Sequence, residues 1–109
     1  MNNFEKSSLK SLIKHMEIIS KAYFVDRTKQ HEYCLYDSYA NRERTPKKIF
    51  IDKVEKSYEG LNTLEKLIIN NDFFYEEYDY WWDKIFSKKS YLFLKKKAIV
   101  HFLKSFYEE

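Results

Sequence analysis

Residues 84–106 read K-I-F-S-K-K-S-Y-L-F-L-K-K-K-A-I-V-H-F-L-K-S-F, and the rest of the chain is best read outward from them. The stretch holds seven lysines (Lys84, Lys88, Lys89, Lys95, Lys96, Lys97 and Lys104) and no acid. Ser87 suits a helix N-cap, because its hydroxyl can accept from an otherwise orphan N–H of the first turn. Beyond it Tyr91, Leu94, Ala98, Phe102 and Ser105 recur at steps of three and four, and Ile99, Leu103 and Phe106 widen the stripe. That spacing is the inner face of an amphipathic helix. Lys88, Lys89, Lys96, Lys97 and Val100 lie away from the stripe, with Phe93 and Lys95 at its margins. Cations at the amino end oppose the helix macrodipole by roughly a few tenths of a kcal/mol each. The lysines there do not serve the helix itself.

Outside this stretch the charge reverses. Residues 1–83 carry 13 basic and 15 acidic side chains, and Glu108 and Glu109 close the chain, so a net charge of only +3 covers a polarised molecule. Polarity of this kind bears on partners rather than on fold. The fold follows from the breakers. With one glycine and one proline in 109 residues, the chain lacks the turn chemistry of a sheet and favours helices with short connections. The expected class is all-α, a small single-domain helical bundle spanning residues 1–109 and ending in a helix-turn-helix.

Taken in order, a first helix is expected over residues 7–24, with Leu9, Leu12, Ile13, Met16, Ile19 and Tyr23 on its inner face. Residues 25–45 read as irregular or as a short helix. Thr45-Pro46 opens a helix over 46–59, with threonine as cap and proline at the first helical position. Its buried side would hold Ile49, Phe50, Val54 and Ser57 or Tyr58, and Gly60 would stop it. Asn62-Thr63-Leu64-Glu65 is a capping box that opens a helix over 62–70, with Leu64, Leu67 and Ile68 inward. Asn70-Asn71-Asp72 closes that helix before an aromatic and acidic link, Phe73 to Tyr80. Residues 79–106 form the expected helix-turn-helix: Trp81-Trp82-Asp83-Lys84-Ile85-Phe86 as a short apolar helical piece, a break at Ser87, then the basic helix. Trp81 and Trp82 stand about 100° apart on a helix, so one anchors the core and the other sits at its edge or in a partner contact.

Catalytic and metal chemistry find little footing. There is no Gly-rich phosphate loop, no nucleophile elbow and no His/carboxylate set of recognisable spacing. His31-x-x-Cys34 offers two ligands without a second pair, a poor zinc site. Cys34 would need His15 or His101 folded beside it to act as a nucleophile, and the adjacent Glu76 and Glu77 diverge on a helix. The expectation is no enzyme, no metal and no cofactor. A lone cysteine suits a reducing compartment. No apolar run approaches the length of a membrane span or the core of a signal peptide, so a cytoplasmic location is expected. Arg27, Arg42 and Arg44 are the only arginines, hence the only bidentate forks for phosphate or guanine. No heptad seam fixes an oligomeric state.

The runs Leu61-Asn62-Thr63-Leu64-Glu65-Lys66-Leu67-Ile68-Ile69 and Phe86-Ser87-Lys88-Lys89-Ser90-Tyr91-Leu92-Phe93-Leu94-Lys95-Lys96-Lys97-Ala98-Ile99 carry a resemblance. The segment Leu64 to Leu103 resembles the C-terminal helix-turn-helix of sigma-70 region 4 and, more closely, the small phage transcription regulators of the ArpU family. It covers about 40 of the 109 residues. The resemblance implies a regulator of transcription that binds double-stranded DNA with its recognition helix in the major groove. Ser87, Lys88, Lys89, Ser90, Leu92 and Phe93 would lie nearest the bases, and Lys95, Lys96 and Lys97 would hold phosphates. The acidic residues before the basic helix, with Trp81 and Trp82, admit a second reading: a protein-interaction module that contacts RNA polymerase or a sigma factor without binding DNA.

Overall fold

The computed structural model describes the backbone of residues 4–36, 46–75 and 78–108 and, among these, the side chains outside 27–36. Four α-helices make up the described chain: α1 (Leu9–Tyr36), α2 (Pro46–Glu59), α3 (Thr63–Ile69) and α4 (Lys88–Tyr107). A 3-10 turn, Phe4–Lys6, precedes α1, and a π-helical segment, Asn70–Phe74, prolongs α3. Strands are absent among the described residues. The all-α class read from the sequence is therefore the observed one.

Helices α1, α3 and α4 begin where a side chain accepts from a backbone N–H of the first turn. Ser8 Oγ accepts from the N–H of Ser11 at 3.2 Å. Asn62 Oδ1 accepts from the N–H of Glu65 at 2.8 Å while Glu65 Oε1 accepts from the N–H of Asn62 at 3.1 Å, a complete capping box. Ser87 Oγ accepts from the N–H of Ser90 at 3.2 Å. Pro46 is the first residue of α2; its expected cap, Thr45, lies outside the described residues.

Helix α1 runs twelve residues past the expected boundary at Phe24, to Tyr36. Its buried residues are Leu12, Met16, Ile19, Ser20 and Tyr23. The apolar stripe ends there, but no glycine or proline follows before Pro46, so nothing in the sequence after Tyr23 forces the helix to stop. His31 and Cys34 fall on this extension, and Arg42 and Arg44 lie outside the described residues.

The carboxyl half of α4 is the centre of the core. Ala98, Ile99, Val100, Phe102, Leu103 and Phe106 are all buried, and α4 meets α1, α2, α3 and the 3-10 turn. Because neighbours surround this half, Val100 is buried although it lies off the predicted stripe, and Ser105, on the stripe, is exposed. Helix α2 turns Ile51, Val54 and Ser57 inward, leaving Ile49 exposed. Helix α3 is rotated from its expected register. Glu65, Ile68 and Ile69 face in, while Leu64 and Leu67 are exposed. Its capping box draws Glu65 inward, and the buried Glu65 Oε2 lies against His101 Nδ1 of α4 without an aligned hydrogen bond.

The helical piece expected at 81–86 is absent. Residues 79–85 are successive turns, closed by Asp83 N–H to Tyr80 O at 3.0 Å, Ile85 N–H to Trp82 O at 2.9 Å and Phe86 N–H to Trp82 O at 2.8 Å. Tyr80 enters them with φ of 58°, a left-handed conformation that interrupts helical propagation. Residues 75–87 separate the π segment from α4, a longer link than the three- or four-residue turn of a helix-turn-helix.

Candidate nucleic-acid interface

Whereas its carboxyl half is core, the amino half of α4 turns Tyr91 and Lys95 inward and presents most of its other side chains to solvent. Lys88, Lys89, Leu92, Phe93 and Lys97 are exposed and Lys96 is partly so. Phe93 is the most open, at 69%. Steps of four, three and one bring Lys89, Phe93, Lys96 and Lys97 to one side of the helix, with Leu92 beside them. No acid lies in the first turn of α4, and Lys84 is exposed just before it. The result is a basic face with an apolar centre, at the helix end where unpaired N–H groups and the macrodipole add partial positive charge. Asp79 and Asp83 are exposed in the preceding turns.

Not every residue assigned to this face is available to a ligand. Ser87 and Ser90 serve each other: besides its capping role, Ser87 Oγ donates to Ser90 Oγ at 3.0 Å. Lys95, expected to hold a phosphate, turns inward. Its ammonium lies 3.3 Å from Asp72 Oδ2, with only 14% of the lysine side chain and 10% of the aspartate exposed. It donates to Tyr91 Oη at 3.3 Å and stands 5.4 Å from the centre of the Phe73 ring. A lysine neutralised at short range inside an aromatic setting attracts distant phosphates weakly, so Lys95 does not suit the phosphate contact expected of it.

Asp72 organises that inner cluster. Its Oδ1 accepts from Trp81 Nε1–H at 2.7 Å and its Oδ2 accepts from Tyr91 Oη–H at 2.5 Å. Burial, above all, and then the hydrogen bond and negative charge of Asp72 push the Tyr91 phenol well above its ordinary range. Trp82 stacks on Tyr91 with ring centres 4.4 Å apart and planes 8° from parallel; Trp81 meets the same ring edge-on at 6.0 Å. Neither tryptophan lies in the main core, and neither is presented whole to a partner: both are half-buried and hold the turns 79–86 against α4. Between the turns and the π segment lies a polar cleft of about 420 Å³, with Asp72, Tyr80, Trp82 and Lys95 in its walls.

No family model, curated protein or solved structure matches the chain. Sequence reasoning missed the role of Asp72, although two signals pointed toward it. Tyr91 and Lys95 are spaced to share one helix face, and a partly buried indole N–H needs an acceptor. Among the described residues no group of three or more His, Cys, Asp or Glu side chains could hold a metal ion.

Proposed function

We propose that this chain is a small DNA-binding transcription regulator that lays the amino half of α4 in the major groove. The observation that carries the reading is the division of α4, whose carboxyl half is core and whose amino half offers Lys89, Lys96 and Lys97 around Phe93, with Lys88 exposed in the first turn and no acid among them. A helix fixed at one end and basic at the other is a suitable body for groove insertion. The resemblance of Phe86 to Ile99 to the recognition helix of sigma region 4 and ArpU-type regulators supports the same reading. Lysines supply affinity through phosphates, while Leu92 and Phe93 offer apolar contact to thymine methyl groups.

The test is fluorescence anisotropy of the full chain with a labelled AT-rich duplex at several salt concentrations. Lys84, Lys88, Lys89, Lys96 and Lys97 would give a slope of log K against log salt of about −4 to −5, at about −0.9 per neutralised phosphate. Absence of binding at low salt would refute this reading. One observation favours the alternative, a module that contacts RNA polymerase or a sigma factor: Phe93 and Ile85 are exposed at 69% and 60%, and aromatic anchors ringed by charge suit protein interfaces. Retention of polymerase subunits by the chain, with no duplex bound, would select it.

A further inference from the structure

The aromatic side chains around the start of α4 fall into two sets. Trp81, Trp82, Phe86 and Tyr91 pack on one another. Phe93 does not join them. It lies two residues past Tyr91, about 200° around the helix, with 69% of its surface exposed and no other ring against it among the described residues. Its side of α4 is not bare throughout. Val100, seven residues on and on the same side, is buried, so Phe93 continues an apolar line beyond the point where the fold covers it.

We propose that Phe93 stacks on an unpaired base, and that this face takes DNA whose base stack is already open in preference to a fully paired duplex. The proposal rests on the reading of α4 as a DNA interface and adds the form of DNA it selects. Lys89, Lys96 and Lys97 stand four residues before, three after and four after Phe93, the nearest-neighbour positions on a helix surface, with about 5–6 Å between Cβ atoms. Among the described residues none of the three forms an ion pair. The ring is thus set in a collar of uncommitted cations.

Such a collar fits a ligand that offers a flat apolar surface and negative charge within one helical turn of each other. A paired duplex meets only half of that requirement, because its base faces are hidden in the stack and its grooves show base edges. On it Phe93 touches a thymine methyl at most. An unpaired base presents a whole π face beside its own phosphate, and stacking of this kind tolerates any base. The lysines alone do not distinguish the two forms, since phosphates are common to both; the preference belongs to the ring. Phe93 has two side-chain torsions and stands on a helix whose other end is core, so it loses little freedom when it stacks.

The experiment measures anisotropy of two labelled duplexes of one length with the full chain, one fully paired and one carrying a short central run of thymine–thymine mismatches. The two present equal numbers of phosphates. The mismatched duplex is expected to bind about tenfold more tightly, with a similar salt slope. Phe93→Leu keeps an apolar side chain without a π face and is expected to bind both duplexes with the parent's affinity for the paired one, whereas Phe93→Trp is expected to keep the preference. The position is exposed, so neither change disturbs the core. Equal affinity of the parent for the two duplexes would overturn this proposal and leave duplex binding standing. A preference retained by Phe93→Leu would overturn it too, by assigning the effect to the flexibility of the mismatched DNA. Failure to bind either duplex at low salt would overturn the DNA reading itself, and this proposal with it.

Discussion

At Asp72 one carboxylate accepts from the Trp81 indole and the Tyr91 phenol and balances Lys95, with little of either charged side chain exposed. Asp72→Ala strands two donors and a mostly buried ammonium. We expect a loss of about 2–3 kcal/mol in urea unfolding. The Tyr91 phenol, held above its ordinary range, gives a pH signature. A raised pKa favours the neutral phenol in the folded state, so its contribution is complete below the unfolded value, about 10, and is lost as pH rises beyond it. Tyr91→Phe should therefore flatten the fall of stability above about pH 10 relative to the parent. Identical alkaline slopes for the two proteins would contradict the assigned hydrogen bond. Tyr80 is the other residue at which one change is informative. Its φ of 58° is costly for a bulky side chain, and Tyr80→Gly should raise stability by about 0.5–1 kcal/mol despite the lost contact with Trp82.

Among the elements, those with local signals were legible. The capping box at Asn62–Glu65, the cap at Ser87 and the opening of α2 at Pro46 depend on residues within one turn of each other, and each helix starts as read. The inner face of α1 was legible for the same reason, because its stripe is regular and one-sided. What depends on neighbours was not. Val100 is buried because α4 is surrounded at that height, and α3 buries Glu65 rather than Leu64, outcomes that a one-sided stripe does not anticipate. Lys95 was assigned to solvent because only the sequence-distant Asp72 draws it inward. The end of α1 was misplaced because polarity was read as a stop. The start of α4 allows stability and binding to be separated. Ser87→Asp keeps an N-cap acceptor and adds negative charge at the positive end of the helix dipole, so thermal stability should hold or rise by about 0.3–1 kcal/mol. The same charge opposes phosphates, so duplex affinity should fall. Parallel changes in melting temperature and anisotropy would mean that the cap and the binding face are not distinct.

Over the whole molecule a net charge of +3 is too small to support the proposed DNA binding, which would have to come from the local concentration of lysine at one end of α4. These two sources of attraction predict different outcomes for changes of equal charge. Lys89→Gln and Lys14→Gln each remove one positive charge from an exposed position, the first on α4 and the second on α1. If the global field governs, both lower duplex affinity alike, since long-range attraction depends on total charge. Exposed charges farther apart than the Debye length of about 8 Å at physiological salt are largely screened from one another, so the localised face predicts asymmetry. Lys89→Gln should reduce the magnitude of the salt slope by about 0.9, and Lys14→Gln should leave it unchanged within error. Lys95→Gln supplies the third comparison. It carries the same charge change on the same helix as Lys89→Gln, but its ammonium is committed to Asp72, so it should lower stability while leaving the salt slope near that of the parent. Anisotropy titrations of the three variants at matched salt, with urea unfolding alongside, measure both quantities. Equal slopes for Lys89→Gln and Lys14→Gln would move the seat of attraction from α4 to the molecule as a whole.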